Sequence, residues 1–447
     1  MEITAPNEVK KVNRIRVYKS TAILALTYLV IVAYIVFGNA ATFNIGQRLP
    51  VKVAELLSLP LILVYLFKYH NIKKVVKIRF PRLFIVWCVF DIISILYNAI
   101  AMQYGVFEIA YGTIYLMRVI HIVLVSYVIV VFLRYYRVPF KKIRNIFIYS
   151  YLVVCVIGII QYFMYPVVAD WYQVFYNLRV YWPTPDPHLK RVVSTYFDPN
   201  YLASILVIPM LLDIALLLYS RKKIVSMPQL IFELLIMSIT MLLTKSRSGI
   251  VGLLIGSFIL ILYLLVHKKV KLIYYAILLA VAILLGYLLL FSDITVFERI
   301  RTFKDDASAA HRFDSWAESI EYILDNPIFG VGYNLFGNYT EKLNGTLNTT
   351  TGYGVDSSFF LILITTGFVG GALFITAGLK YTLRRNKSII HLACKSILVA
   401  SFVMSFFNNL LFNVLWIMPI CMLMFITDSY PVRRVNRNVW YFIYFWA

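Results

Sequence analysis

Twelve apolar stretches alternate with polar connections along this chain, and every second connection is crowded with Lys and Arg. An α-helix needs about 20 apolar residues to cross the hydrocarbon layer of a bilayer. The stretches begin near Thr21, Leu49, Leu83, Thr113, Ile146, Pro199, Pro228, Gly249, Leu272, Ser357, Ser388 and Phe412. Strands of a membrane barrel would alternate apolar and polar residues instead of running solidly apolar. The expected class is an all-α polytopic membrane protein of about 12 transmembrane helices, forming one integral membrane domain over 1–447. With 61% hydrophobic residues the chain cannot be an ordinary soluble domain.

The basic clusters set the expected orientation. They run from Lys10 to Lys19, Lys68 to Arg82, Arg134 to Arg144, Arg221 to Lys223, Lys268 to Lys271, Lys380 to Lys387 and Arg433 to Arg437. By the positive-inside rule these segments are cytoplasmic, and so are both termini. The net charge of +22 then follows from topology and from attraction to anionic lipid headgroups, with no nucleic acid as partner. Cys88, Cys155, Cys394 and Cys421 all fall inside apolar stretches without CxxC spacing, which suits packing rather than disulfides or metal ligation.

Two outward connections are long: 165–198 between the fifth and sixth spans, and 292–356 between the ninth and tenth. Both are rich in Trp, Tyr, Phe and Pro, so a structured outward cap is expected. Within the second, a helix is predicted over 308–325. Phe313, Trp316, Ile320, Ile323 and Leu324 form its apolar face, and Asp314, Glu318 and Glu321 a solvated one. Asn326-Pro327 ends it, because the residue before proline disfavours the helical region. Arg312 lies near the start of that helix, where the dipole offers a cation nothing; an anionic ligand would account for it.

Four outward segments carry candidate chemistry. The first is Arg191 with Ser194-Thr195-Tyr196-Phe197-Asp198-Pro199-Asn200, and the second Thr244-Lys245-Ser246-Arg247-Ser248-Gly249. The third holds Arg312, Trp316 and Asn326-Pro327-Ile328-Phe329-Gly330-Val331-Gly332-Tyr333. The fourth is Asp356-Ser357, followed by Gly367-Phe368-Val369-Gly370. In this order and on these connections they resemble the O-antigen polymerase and ligase family of bacterial membrane glycosyltransferases, over roughly residues 190–370.

The resemblance implies a helical fold of the kind shared by lipid-linked glycosyltransferases. The enzyme would work at the outer leaflet of the inner (cytoplasmic) membrane, facing the periplasm, on oligosaccharides linked to undecaprenyl pyrophosphate. It would need no cofactor, no nucleotide sugar and no metal. Its partners would be that lipid-linked oligosaccharide, membrane lipids and, for a polymerase, a chain-length regulator protein. Where the ligase pattern places His before the Gly-x-x-Gly run, this chain has Asp356, which favours the polymerase. A ligase passing glycan to the lipid A core is the second reading. A flippase for lipid-linked oligosaccharide is the third, but it would spread charges through the bilayer depth rather than gather arginines at one face.

The residue chemistry agrees. A glycosyl pyrophosphate has a good leaving group whose developing charge needs cations, and the guanidinium fork meets phosphate oxygens bidentately. Arg191, Arg247, Lys245, Asn200 and Tyr333 are the substrate-binding candidates, with Arg312 and Asp356 the catalytic ones. Asp356 would take the acceptor proton, although an Asp at the mouth of a span can also cap a helix. Arg191 and Arg312 could instead pair with loop acids, and Arg247 could anchor a turn at lipid headgroups. Ionisable residues inside spans are functional suspects too: Arg118 either contacts a lipid-linked phosphate or pairs with Glu55. Asp213 and Glu233 sit too far from the outward face to join the chemistry.

Overall fold

The computed structural model describes residues 21–45, 49–69, 78, 80–164, 191–219, 225–266, 307–345, 355–384 and 388–429. Among them are α1 (Thr21–Phe37), a hairpin of β1 (Thr42–Ile45) and β2 (Leu49–Lys52), and α2 (Val53–Val64), which continues as a π turn over Tyr65–Tyr69. Then come α3 (Arg82–Ala101), α4 (Val106–Tyr135), α5 (Phe140–Phe163), α6 (Pro199–Tyr219), α7 (Met227–Thr244) and α8 (Arg247–Val266). The helices α9 (Ala307–Asp325) and α10 (Phe336–Asn344) precede α11 (Ser358–Thr382), α12 (Ile389–Met404) and α13 (Val414–Ser429).

A helix stands at or near each expected span except the one from Leu272, which lies outside the described residues, as do most of the terminal and loop basic clusters. Among the described residues, six helices are long and apolar enough to cross a membrane: α3, α4, α5, the Pro199–Leu218 stretch of α6, α7 and α11. α1, α8, α12 and α13 are shorter apolar helices. The protein is a multi-pass, predominantly helical membrane protein.

The hairpin corrects the second expected span, which starts at Val53 and not near Leu49. Thr42 pairs with Lys52 and Ile45 with Leu49. Four-residue strands within an apolar run offer no alternation long enough to announce themselves.

Packing follows small residues. Gly249, Gly252 and Gly256 form a stripe on α8; a Cβ added there would lie 2.5 Å from Ala203 Cβ, 2.4 Å from Met404 Sδ and 2.3 Å from a Leu211 methyl. Without those Cβ atoms α8 can press against both α6 and α12, the close approach that drives helix association in lipid. The second half of α4 is the centre of the bundle, with Val128 to Leu133 entirely buried. α13 lies along it, and Ser126 Oγ donates to the Met418 carbonyl at 3.1 Å.

Arg144 departs from its expected place among the cytoplasmic charges. It is 1% exposed. Its guanidinium donates to Asp213 Oδ1 at 2.6 Å and to Glu233 Oε1 at 3.0 Å, with a further bond to Glu233 Oε2. Asp213 and Glu233 thus hold α5, α6 and α7 together around one buried cation. Their exclusion from the outward chemistry agrees with this placement.

Candidate functional site

Asp198-Pro199-Asn200 starts α6. Asp198 Oδ1 accepts the backbone N–H groups of Asn200 at 2.7 Å and Tyr201 at 2.8 Å, the N-cap role in which aspartate followed by proline excels. This presents Asn200 on the first turn. Asn200 Oδ1 then accepts from Arg191 Nη2 at 3.0 Å and from Ser246 Oγ at 3.0 Å. Arg191 Nε also donates to the Thr244 carbonyl at 2.8 Å, and Val192 N–H to the Leu243 carbonyl at 3.1 Å. The first and second motifs, distant in sequence, are one hydrogen-bonded unit at the α7–α8 turn.

That unit extends to the fourth motif. Ser246 Oγ lies 3.2 Å from Ser248 Oγ, which accepts from Asn408 Nδ2 at 2.8 Å. The Asn408 carbonyl accepts from Ser358 Oγ at 3.0 Å, in the first turn of α11. Asn408 is 6% exposed and was not a sequence candidate. Nothing in the apolar run around Asn408-Asn409 marks it beyond a polar pair within an apolar segment.

The backbone is strained where these segments meet. Ser194 (φ 50°), Phe197 (φ 59°) and Lys245 (φ 52°) adopt left-handed conformations. Non-glycine residues held there cost on the order of 1–3 kcal/mol each and cluster at functional sites. Lys245 terminates α7 and Arg247 begins α8, so both cationic residues stand on one turn, each half-buried. Asp356 is exposed and sits just before Ser357, the residue in the N-cap position of α11. The capping alternative therefore falls to its neighbour, which itself makes no side-chain cap bond.

Tyr333 is not with them. It is 1% exposed, its ring edge-on to Trp87 at 5.6 Å between centroids and 5.9 Å from Phe412. The turn at Gly330 and Gly332 folds inward and packs Tyr333 against these rings. The whole Asn326–Tyr333 segment is threaded against α3 and α11. Ser94 Oγ donates to the Phe329 carbonyl at 2.6 Å and Asn98 Nδ2 to the Gly330 carbonyl at 2.9 Å.

Gly367, at φ 64°, breaks α11. Around that break Val331 N–H bonds to the Ile364 carbonyl at 2.8 Å, and Phe368 N–H to the Pro327 carbonyl at 2.7 Å. A Cβ on Gly367 would lie 2.3 Å from the Ile328 carbonyl oxygen. Gly330 and Gly367 thus lock the third and fourth motifs together, a Cβ on Gly330 lying 2.4 Å from the Ile364 carbonyl oxygen.

α9 matches the expected 308–325 helix closely, but its buried stripe differs. Ser315, Ser319 and Ile323 are buried, while Ile320 and Leu324 are 49% and 65% exposed. Serines let α9 lie close on α11, and Trp316 packs on Phe360 and Phe407 at 5.6 and 5.9 Å. Asp314, Glu318 and Glu321 are exposed as expected. Tyr322 donates to Glu318 at 2.8 Å, and burial together with that bond pushes its phenol up to about 12. Arg312 is one turn before Trp316; its side chain, like most of 165–198, falls outside the described residues.

Arg118 stands apart from the Arg191 unit. It pairs with Glu55 through Nε and, at 3.0 Å, Nη2, and its guanidinium lies 5.9 Å from the Tyr115 ring centroid. The ion-pair alternative is what the structure contains.

Residues 232–375 match a protein-family model described as O-antigen ligase. The match covers less than half of the chain; it takes in Lys245, Arg247, Arg312 and Asp356 but not Arg118, Arg191 or Asn200. No curated protein matches the chain. The match supports the O-antigen ligase/polymerase family, a glycosyltransferase-like activity and lipid-linked glycan substrates in surface polysaccharide assembly, without separating polymerase from ligase.

Proposed function

We propose that this protein polymerises undecaprenyl-pyrophosphate-linked oligosaccharide repeats at the outer leaflet of the inner membrane, with its site facing the periplasm and without a metal cofactor. The observation that carries the reading is the hydrogen-bonded belt from Arg191 through Asn200, Ser246, Ser248 and Asn408 to the start of α11. It gathers three separate motifs at one end of the bundle, with Lys245 and Arg247 on the same turn.

In the reaction, the acceptor sugar hydroxyl forms a bond to the anomeric carbon of the donor glycan. The bond from that carbon to the pyrophosphate oxygen breaks, and its electron pair leaves with the lipid pyrophosphate. Arg191, Arg247 and Arg312 neutralise the charge that develops there, the kind of fixed electrostatic stabilisation that dominates such steps. Asp356 accepts the proton released by the acceptor hydroxyl.

The family description itself favours the ligase as a second reading. One experiment separates them: purified protein is incubated with a lipid-linked repeat unit alone, in chelator and without nucleotide. A ladder of products on a gel supports the polymerase. Transfer only after a lipid A core acceptor is added makes the protein a ligase, and transfer only after metal is restored removes the metal-independent chemistry.

A further inference from the structure

A second basic centre lies across the Ser194–Tyr196 turn from Arg191. Lys52, at the end of β2, is 7% exposed, and its Nζ donates to the neutral oxygens Asn39 Oδ1 and Thr42 Oγ1, the latter at 3.5 Å. Glu55 is the carboxylate beside it. Both Glu55 oxygens are engaged by Arg118, and Oε2 also accepts the Lys52 backbone N–H at 2.9 Å. Among the described residues, the other groups facing the centre add no negative charge. His121 Nε2 lies 2.8 Å from Ser58 Oγ, and Tyr34 OH is 3.5 Å from that same hydroxyl.

Two cations therefore share one carboxylate in a site almost closed to water. A buried charge without a counter-charge is expensive. Burial, and after it Arg118, push the Lys52 ammonium down to about 7, so the surrounding residues supply too little negative charge to hold it comfortably. The Arg118 and Glu55 side chains are 14% and 11% exposed, so the ion pair forms the open lip of the site. Asn39 joins the two centres: its Oδ1 accepts from Lys52, its Nδ2 donates to the Tyr196 carbonyl at 2.7 Å, and its N–H to the Thr195 carbonyl at 2.8 Å.

We infer that Lys52 and Arg118 form a second anion site, which takes the phosphate group of a lipid while the Arg191 centre holds the first. Joining two lipid-linked repeats brings two lipid pyrophosphates to one enzyme, and two basic centres bridged by one asparagine answer that need. The anion chemistry stands on Lys52, Glu55 and Arg118 alone; its assignment to a polyprenyl lipid rests on the function proposed above. A phospholipid headgroup presents the same phosphate, and the test tells the two sources apart.

The full-length protein in phosphatidylcholine nanodiscs is titrated with farnesyl pyrophosphate, phosphatidylglycerol or inorganic pyrophosphate, and occupancy is read by native mass spectrometry. Wild type is expected to hold two farnesyl pyrophosphates. Lys52→Gln, which can still donate to Asn39, should weaken one of them roughly tenfold through loss of a charge-assisted bond. Glu55→Gln should tighten that same one, because it removes the competing negative charge. Opposite signs cannot arise from a merely structural role. Equal weakening by both variants, or wild-type binding in both, overturns the site. In the second case, loss confined to Arg191→Ala leaves the proposed function standing. Lys52-dependent binding of phosphatidylglycerol with none of farnesyl pyrophosphate keeps the anion site but assigns it to headgroups, and removes the two-substrate role.

Discussion

Two buried ionic centres in this protein are built with opposite arithmetic. Around Arg144, two carboxylates surround one guanidinium, and all three side chains are at most 1% exposed. Around Glu55, one carboxylate pairs with Arg118 while the nearby Lys52 ammonium bonds the neutral Asn39 and Thr42 oxygens, and the Arg118–Glu55 pair opens slightly to the surface. The first is closed and has acid to spare, so it has no use for an anion. The second, with the Arg191 belt beside it, gathers positive charge at the end of the bundle where the motifs meet. On the proposals above, arginine in this protein serves either to fasten helices or to meet a phosphate, and the surrounding carboxylate count separates the two uses.

The sharpest way to break that contrast is to remove Arg144. Arg144→Met should strip the cation from Asp213 and Glu233 and cost about 3–5 kcal/mol, the usual penalty for orphaning a buried charge. The expected result is a large fall in thermal midpoint and yield in detergent. Specific activity per folded molecule should stay near wild type. Replacing Asp213 and Glu233 with Leu in the same chain should restore most of the stability, since a dry apolar triad needs no counter-charge. Polymer loss in that restored triple variant would place the inner triad in the chemistry after all.

At Asp356 and the Arg191 belt the order reverses, with activity expected to fail while the fold survives. Asp356→Asn should reduce turnover by about 100- to 10,000-fold if the carboxylate takes the acceptor proton. The amide keeps its shape, Ser357 occupies the cap position, and Asp356 is exposed. Stability should therefore move by less than about 0.5 kcal/mol. Polymer of wild-type length and rate from the Asn variant, read by gel ladder, removes Asp356 as the base.

Arg191→Ala and Arg247→Ala should each slow transfer by about 100- to 1,000-fold, as removal of one fixed stabilising donor does. Lys at either position should recover only part of the loss, because a point charge lacks the planar fork. Full rates in both Ala variants would move the pyrophosphate to Lys245, Arg312 or the Lys52–Arg118 pair.

The same contrast explains what the sequence could reveal. Hydropathy exposed the spans, because apolar runs of membrane-crossing length have few other uses in a folded chain. The α9 helix was visible through its spacing and its Asn326-Pro327 stop. Arg144 was misplaced because a basic residue near a helix end looks the same whether it meets cytoplasm or a partner acid. Its partners lie 69 and 89 positions away. The burial of Tyr333 was hidden for a related reason: Gly330 and Gly332 announced a turn, but not that the turn would face α3. The contacts that assemble the belt are long-range and leave no local signature.

The smallest effect is expected at Asn408, which touches the belt and would act through it as a positioning residue. Its Nδ2 donates to Ser248 Oγ across 160 positions of sequence, and Ser248 meets Ser246, which donates to Asn200. Asn408→Ala removes the last link, while Arg191 keeps its bonds to Asn200 and the Thr244 carbonyl. The guanidinium should stay in place but less tightly held, slowing kcat by about tenfold, a loss of the size expected from one hydrogen bond that orders a network. KM for the lipid-linked repeat should change little, because the cations that bind it remain. Ser248→Ala cuts the same chain one link earlier, so the double variant should be no slower than either single one. That non-additivity is the signature of residues acting in series. A double variant about a hundredfold slower, the product of two independent losses, would mean that Asn408 and Ser248 act separately and that the belt is not one unit.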